Sequence, residues 1–147
     1  MTKKRPPAKL RRHVREQAQG YCEYCICPEF CATQVHSMEH IIPESLGGLS
    51  DEENLALACQ GCNGAKAKKT HAIDPVTRRK VALFHPRRDD WHKHFTWSPN
   101  QLYLIGLTAK GRATIHELDL NRAGVIYLRR LLLLDHNHPP KHRLSSK

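Results

Sequence analysis

The chain has 147 residues, with 24 Lys and Arg against 14 Asp and Glu, a net charge of +10 and a sequence pI of about 9.6, which suits one domain with a modest core rather than two. A polyanion is the natural partner of that charge, with salt-dependent binding through phosphate neutralisation. No apolar run spans a bilayer, since 125–134 is interrupted by Arg129 and Arg130. Pro6, Pro7, Arg11, Arg12 and Arg15 leave no apolar segment behind the basic N-terminus, so no signal peptide and a cytoplasmic location are expected.

Residues 1–20 read as a basic N-terminal helix, with Leu10, Val14 and Ala18 four apart and Gly20 at its end. Residues 21–72 form the expected core. Within it, 33–42 reads as a strand stopped by Pro43, Gly47-Gly48 as a turn, 55–58 as the return strand and 60–69 as a short helix. Residues 73–135 read as an extension of the same domain. An irregular connection over 74–88 is followed by a hairpin, 95–97 with 102–107, about Ser98-Pro99-Asn100-Gln101. Thr108 is placed to cap a helix to Leu118, and Asn121 a second one carrying Val125, Ile126, Leu128, Leu131 and Leu132. Trp91, Phe95 and Trp97 read as core rather than as stacking platforms. The polar tail, 136–147, with His136, His138 and His142, reads as disordered.

Six cysteines in a reducing compartment point to metal rather than to disulfides. Cys22-x-x-Cys25 and Cys59-x-x-Cys62 each let one tight turn present two sulfurs to one ion. Four thiolates complete a tetrahedral Zn²⁺ shell with no open position, so this zinc is structural. Cys27 and Cys31 either replace one pair or stand beside the site as reduced side chains; the repeated two-residue gap favours the second.

Inside the loop that the cysteines close lie Glu39-His40 and Asn54, fourteen positions after His40, with Asn63 nine further on and adjacent to Cys62. With Ile41-Ile42-Pro43, Gly47-Gly48, Asn54-Leu55 and Cys62-Asn63-x-x-Lys66, this order closely resembles the HNH endonuclease family over about residues 14–69. The resemblance implies an α+β fold: a small zinc-stabilised ββα-metal core, here with a C-terminal β-hairpin and helices packed on it. It implies His40 as general base, Glu39 as acidic metal ligand, Asn54 as the asparagine that steadies the loop and the base, and Asn63 as second metal ligand. Asp often stands where this chain has Glu39, and His where it has Asn63. The implied products end in 5′-phosphate and 3′-hydroxyl.

Neutral imidazole can take a proton from water at physiological pH. A carboxylate and an amide oxygen suit Mg²⁺ or Mn²⁺. Lys66, Lys68 and Lys69, at the end of the expected helix, and Arg87 and Arg88 are candidates to hold the nucleic-acid backbone, contacts that position a duplex without reading its sequence. His36 reads as a bystander. The leading expectation is a metal-dependent endonuclease acting on duplex DNA; the alternatives are a zinc-stabilised nucleic-acid-binding module without cleavage, and an RNA nuclease.

Overall fold

A computed structural model of the chain describes residues 4–141. Helix α1 (Ala8–Ala18) ends where Gln19 takes the left-handed conformation, followed by Gly20 at φ +78°. Strand β1 (Ser37–His40) pairs antiparallel with β2 (Leu55–Ala58), with Glu39 opposite Ala56 and His40 opposite Leu55. Helix α2 (Gln60–Lys66) follows directly and is capped by the Cys59 sulfur, which accepts from Cys62 N. The first expected strand is shorter than 33–42, and the helix stops at Lys66 rather than at residue 69.

The sequence Leu-Ala-Leu-Ala buries β2 on both faces. Leu55 and Leu57 pack on Val14 and Ala18 of α1, each burial contributing about 1.5–3 kcal/mol. Ala56 and Ala58 face the other way and join the cluster that holds the four paired cysteines. Side chains that small let the cysteine-bearing turns approach the strand closely.

Residues 71–82, expected to be an irregular connection in part, form a hairpin of β3 (His71–Ile73) and β4 (Lys80–Ala82). Its turn is held by Asp74, whose carboxylate accepts from Val76 N, Thr77 N, the Thr77 hydroxyl and the Arg112 guanidinium. A short helix α3 (Trp91–His94) leads into the hairpin of β5 (Phe95–Trp97) and β6 (Leu104–Gly106). Helix α4 (Ala109–Leu118) is capped by Thr108, and α5 (Ala123–Leu134) follows. Asn121 does not cap α5. Its amide accepts from Leu104 N and donates to Leu104 O, tying the helix entry to β6, and Arg122 takes the cap position with no side-chain capping bond.

One cluster of buried residues runs from Cys22, Tyr24 and Ile41 through Phe84, Trp91 and Phe95 to Leu118, Leu120 and Val125. Residues 136–141 are not the start of a loose tail. His138 is buried, packs edge-on against Trp97, and its Nε2 lies 2.7 Å from Gln101 O. The rest of the expected tail, 142–147 with His142, lies outside the described residues, as does Lys3 of the basic run. Among the described residues no helix is long and apolar enough to cross a membrane.

Candidate metal centre and active site

The sulfurs of Cys22, Cys25, Cys59 and Cys62 all lie within 4.8 Å of one another, and all four residues are buried. Cys25 Sγ is 3.6 Å from Cys59 Sγ, close to the ~3.8 Å edge of a tetrahedron with Zn–S bonds of about 2.3 Å. Backbone amides of Tyr24 and Cys25 donate to Cys22 Sγ, and that of Cys62 to Cys59 Sγ, orienting the sulfurs as metal ligands require. Cys27 is buried, with its sulfur 3.9 Å from His36 Nε2, and Cys31 is exposed. Neither belongs to the four-sulfur group. His36 Nε2 lies 3.1 Å from Cys27 O and its backbone amide donates to Glu29, so it fastens its own loop.

The charge of this site is answered from the far end of the chain. Arg122 donates to Cys59 Sγ at 3.4 Å and to Cys62 Sγ at 3.6 Å. Burial works to lower its pKa, but the Cys62, Cys25 and Cys59 sulfurs outweigh this and hold it raised. Arg129, buried in α5, donates to Cys25 O as well as to Leu102 O and Leu120 O, and lies 5.1 Å from the Trp97 ring centre. Neither arginine stood out in the sequence, where each looks like one more basic residue on a helix.

Adjacent residues of a strand point to opposite faces, so Glu39 and His40 diverge. His40 faces the loop after β1, with Nε2 2.8 Å from Ser50 Oγ and 3.3 Å from Glu44 Oε1. That loop is closed by Asn54. Its Oδ1 accepts from Ile42 N at 2.8 Å, and its Nδ2 donates to Ile42 O and Leu49 O, each at 2.9 Å. At Gly48 a Cβ would run into the Ile42 carbonyl and the Asn54 amide, so this turn admits only glycine. Glu44 and Ser50 were missed by sequence reasoning. Their signal was being the polar residues that flank the glycine turn after the histidine.

Glu39 faces inward and is 3% exposed. Its Oε2 accepts from the Tyr24 hydroxyl at 2.8 Å, and Lys66 Nζ lies 2.5 Å from its Oε1. Burial pushes the Glu39 carboxyl up in pKa, with the Lys66 ammonium and the Tyr24 hydroxyl opposing. Lys66 is 1% exposed and also donates to Ile41 O at 2.8 Å. The expectation that Lys66 holds a phosphate is therefore corrected: its ammonium neutralises Glu39 in the interior, where an unpaired carboxylate is costly. Arg87 is corrected likewise. It forms a two-bond pair with Glu23, each side chain 10% exposed, and donates to Glu52 O. Lys68 and Arg88 are exposed, and Lys69 pairs with Glu117 at 2.9 Å.

Asn63, next to Cys62 on α2, is half-buried. A carboxylate with an amide oxygen is the donor chemistry a hard divalent cation takes, but the buried Glu39 Oε1 is already paired with the Lys66 ammonium. Such an ion at Glu39 would have to share the carboxylate with the Lys66 ammonium or displace it.

No curated protein and no solved structure matches the chain. The family model of the HNH endonuclease matches residues 22–69, the span that begins at the first zinc cysteine and includes β1, β2 and α2. With the four-cysteine cluster and the mixed helix and small antiparallel sheets, this identifies residues 22–69 as an HNH endonuclease domain.

Proposed function

We propose that the protein is a metal-dependent DNA endonuclease that hydrolyses phosphodiester bonds of duplex DNA in the cytoplasm. The observation that carries this reading is the loop fastened by Asn54, which holds His40 beside Ser50 and Glu44 at the edge of the zinc-built core. His40 is the general base. It takes the proton from the attacking water, a role for which neutral imidazole is suited. Glu39 and Asn63 would hold Mg²⁺ or Mn²⁺, which when bound supplies charge stabilisation at the phosphate and leaving oxygens. Exposed Lys68 and Arg88, with Lys69, are the basic groups placed to meet backbone phosphate.

The saturation of Glu39 by Lys66 and Tyr24 favours one second reading, a zinc-held binding module that does not cleave. A supercoiled-plasmid assay separates them. Wild type with Mg²⁺ or Mn²⁺ is expected to nick or linearise the plasmid, and His40→Ala to lose at least about a hundredfold in rate. Binding without cleavage over a range of salt and metal overturns the enzyme reading, and cleavage by His40→Ala at the wild-type rate overturns the choice of base.

A further inference from the structure

Beside the candidate site, where residues 22–69 meet the C-terminal part, lies a cavity of about 200 Å³. Ile41 and Ile42, which follow His40, line it together with Leu83 and Phe84, and its polar lining includes His85 and Arg88. The volume is below that of pockets for drug-sized ligands, about 300 Å³ and upward, and suits a single flat ring system.

His85 gives this cavity a chemical direction. Its Nδ1 accepts from Arg87 N at 3.2 Å and from Arg88 N at 3.3 Å, while its own backbone amide donates to Asp89 at 2.9 Å. A nitrogen that accepts two N–H groups carries no hydrogen, so the neutral ring carries it on Nε2. Burial, reinforced by the Arg88 charge, lowers the His85 pKa to about 4, which keeps the ring neutral. His85 is 9% exposed, and its Nε2 is buried with no hydrogen-bond partner among the described residues. A buried donor without an acceptor is destabilising, and a ligand supplying the acceptor would remove that penalty.

We propose that this cavity receives one unstacked base of the nucleic-acid substrate, its faces against Ile41, Ile42, Leu83 and Phe84 and an acceptor atom of its edge on His85 Nε2–H. The inference rests on the nuclease reading and deepens it. A nucleobase has apolar faces and acceptors on its edge, and enzymes that take a base out of the stack read it by such edge contacts. A phosphate group fits less well, because the Lys66 and Lys110 ammoniums of the lining are already paired with Glu39 and Asp89, and the Asp89 carboxylate in the same lining repels an anion. Arg88, exposed in the same lining, is placed for the phosphate attached to that base.

The test uses zinc-loaded full-length protein and two duplexes of one sequence, the first fully paired and the second carrying a single extrahelical 2-aminopurine. Without divalent metal, wild type is expected to bind the second at least about tenfold more tightly, or about 1.4 kcal/mol, with a blue shift of the 2-aminopurine emission. His85→Asn keeps an acceptor for the Arg87 and Arg88 amides but lacks the Nε2 donor; Ala82→Phe fills the cavity from β4. Each is expected to bring the two affinities within about twofold, while both variants retain the wild-type zinc content. Equal affinity of wild type for both duplexes, or a preference that survives in either variant, overturns the proposal and leaves the nuclease reading intact if the paired duplex is cut. A preference that millimolar inorganic phosphate abolishes without a wild-type emission shift assigns the cavity to phosphate and also overturns it. A paired duplex bound but not cut defeats the nuclease reading alone, since the base preference is read from binding.

Discussion

Lys66→Met tests the interior on which the candidate site rests. The substitution removes the ammonium 2.5 Å from Glu39 Oε1 and keeps an unbranched stem of similar length in a position 1% exposed. Glu39 is left as a buried carboxylate with the Tyr24 hydroxyl as its remaining side-chain donor. Removing one partner of a buried ion pair costs about 3–5 kcal/mol, a large share of the ~5–15 kcal/mol by which a domain is stable. Glu39→Gln combined with Lys66→Met removes both charges, and at least half of the loss should return, because the larger part of it is the unpaired charge rather than a lost attraction. Urea unfolding of the zinc-loaded protein reads the effect: at an m value of about 2 kcal/mol/M, a 4 kcal/mol loss lowers the midpoint by about 2 M with m unchanged. If a divalent ion binds Glu39 in place of the ammonium, Mg²⁺ or Mn²⁺ at about a hundred times its Kd restores up to about 2.7 kcal/mol to Lys66→Met. A single variant that loses less than about 1 kcal/mol, or a double variant as unstable as the single one, refutes the argument that this pair neutralises a buried charge.

Arg122→Met, which removes the cation beside Cys59 and Cys62, is expected to weaken zinc retention about 10–100-fold, read as faster loss of metal to a chromogenic chelator. Asn54→Ala removes three hydrogen bonds from the loop after β1 and should cost about 2–4 kcal/mol, with faster hydrogen exchange at the Ile42 amide and reduced cleavage. His85 has a folded-state pKa of about 4 against about 6.5 unfolded, lowered by burial and then by Arg88. The unfolded chain therefore binds the extra proton first, and the stability present above pH 6.5 falls as pH drops towards 4. Between pH 6.5 and 5.5 the expected loss is at most about 1 kcal/mol, and it should be absent from His85→Asn in the same urea titration.

What the sequence disclosed, and what it hid, divides by the range of the interaction. The run 55–58 reads as a strand because four apolar residues stand between turn signals, and the cysteine pairs read as a clamp because their spacing is local. Lys66 is different. Three residues beyond Asn63 and beside Lys68 and Lys69, it has the composition of a solvated helix end, and only the packing of α2 under β1 turns it inward onto Glu39. Arg87 misleads for the same reason, since its partner Glu23 lies sixty-four residues earlier. The β3–β4 hairpin stayed hidden because its strands are three residues long and expose His71, Ile73 and Lys80. The Asp74 turn that closes it is completed by Arg112, far along the chain.

These distant partners bear on where the functional unit ends. The family match stops at residue 69, yet a four-thiolate zinc site carries a net charge of −2 that the matched segment does not itself answer. The answering cations are Arg122 on Cys59 and Cys62, and Arg129 on the carbonyl of Cys25. Burial lowers the Arg129 pKa to about 10, with the Cys25 charge opposing, so it remains a cation at neutral pH. Arg129 also holds Leu102 O and Leu120 O, so the group that balances the metal site is the one that fastens α5 to the β5–β6 hairpin. Arg87 does the same on the other side, pinning Glu23 of the first cysteine turn, whose carboxylate in turn accepts from Leu57 N of β2. Charge balance at the zinc and the position of β2, which carries the loop that presents His40, thus depend on residues from 87 to 129. A mutation in the C-terminal part is expected to reach the site through these three arginine contacts before it reaches it through the apolar core.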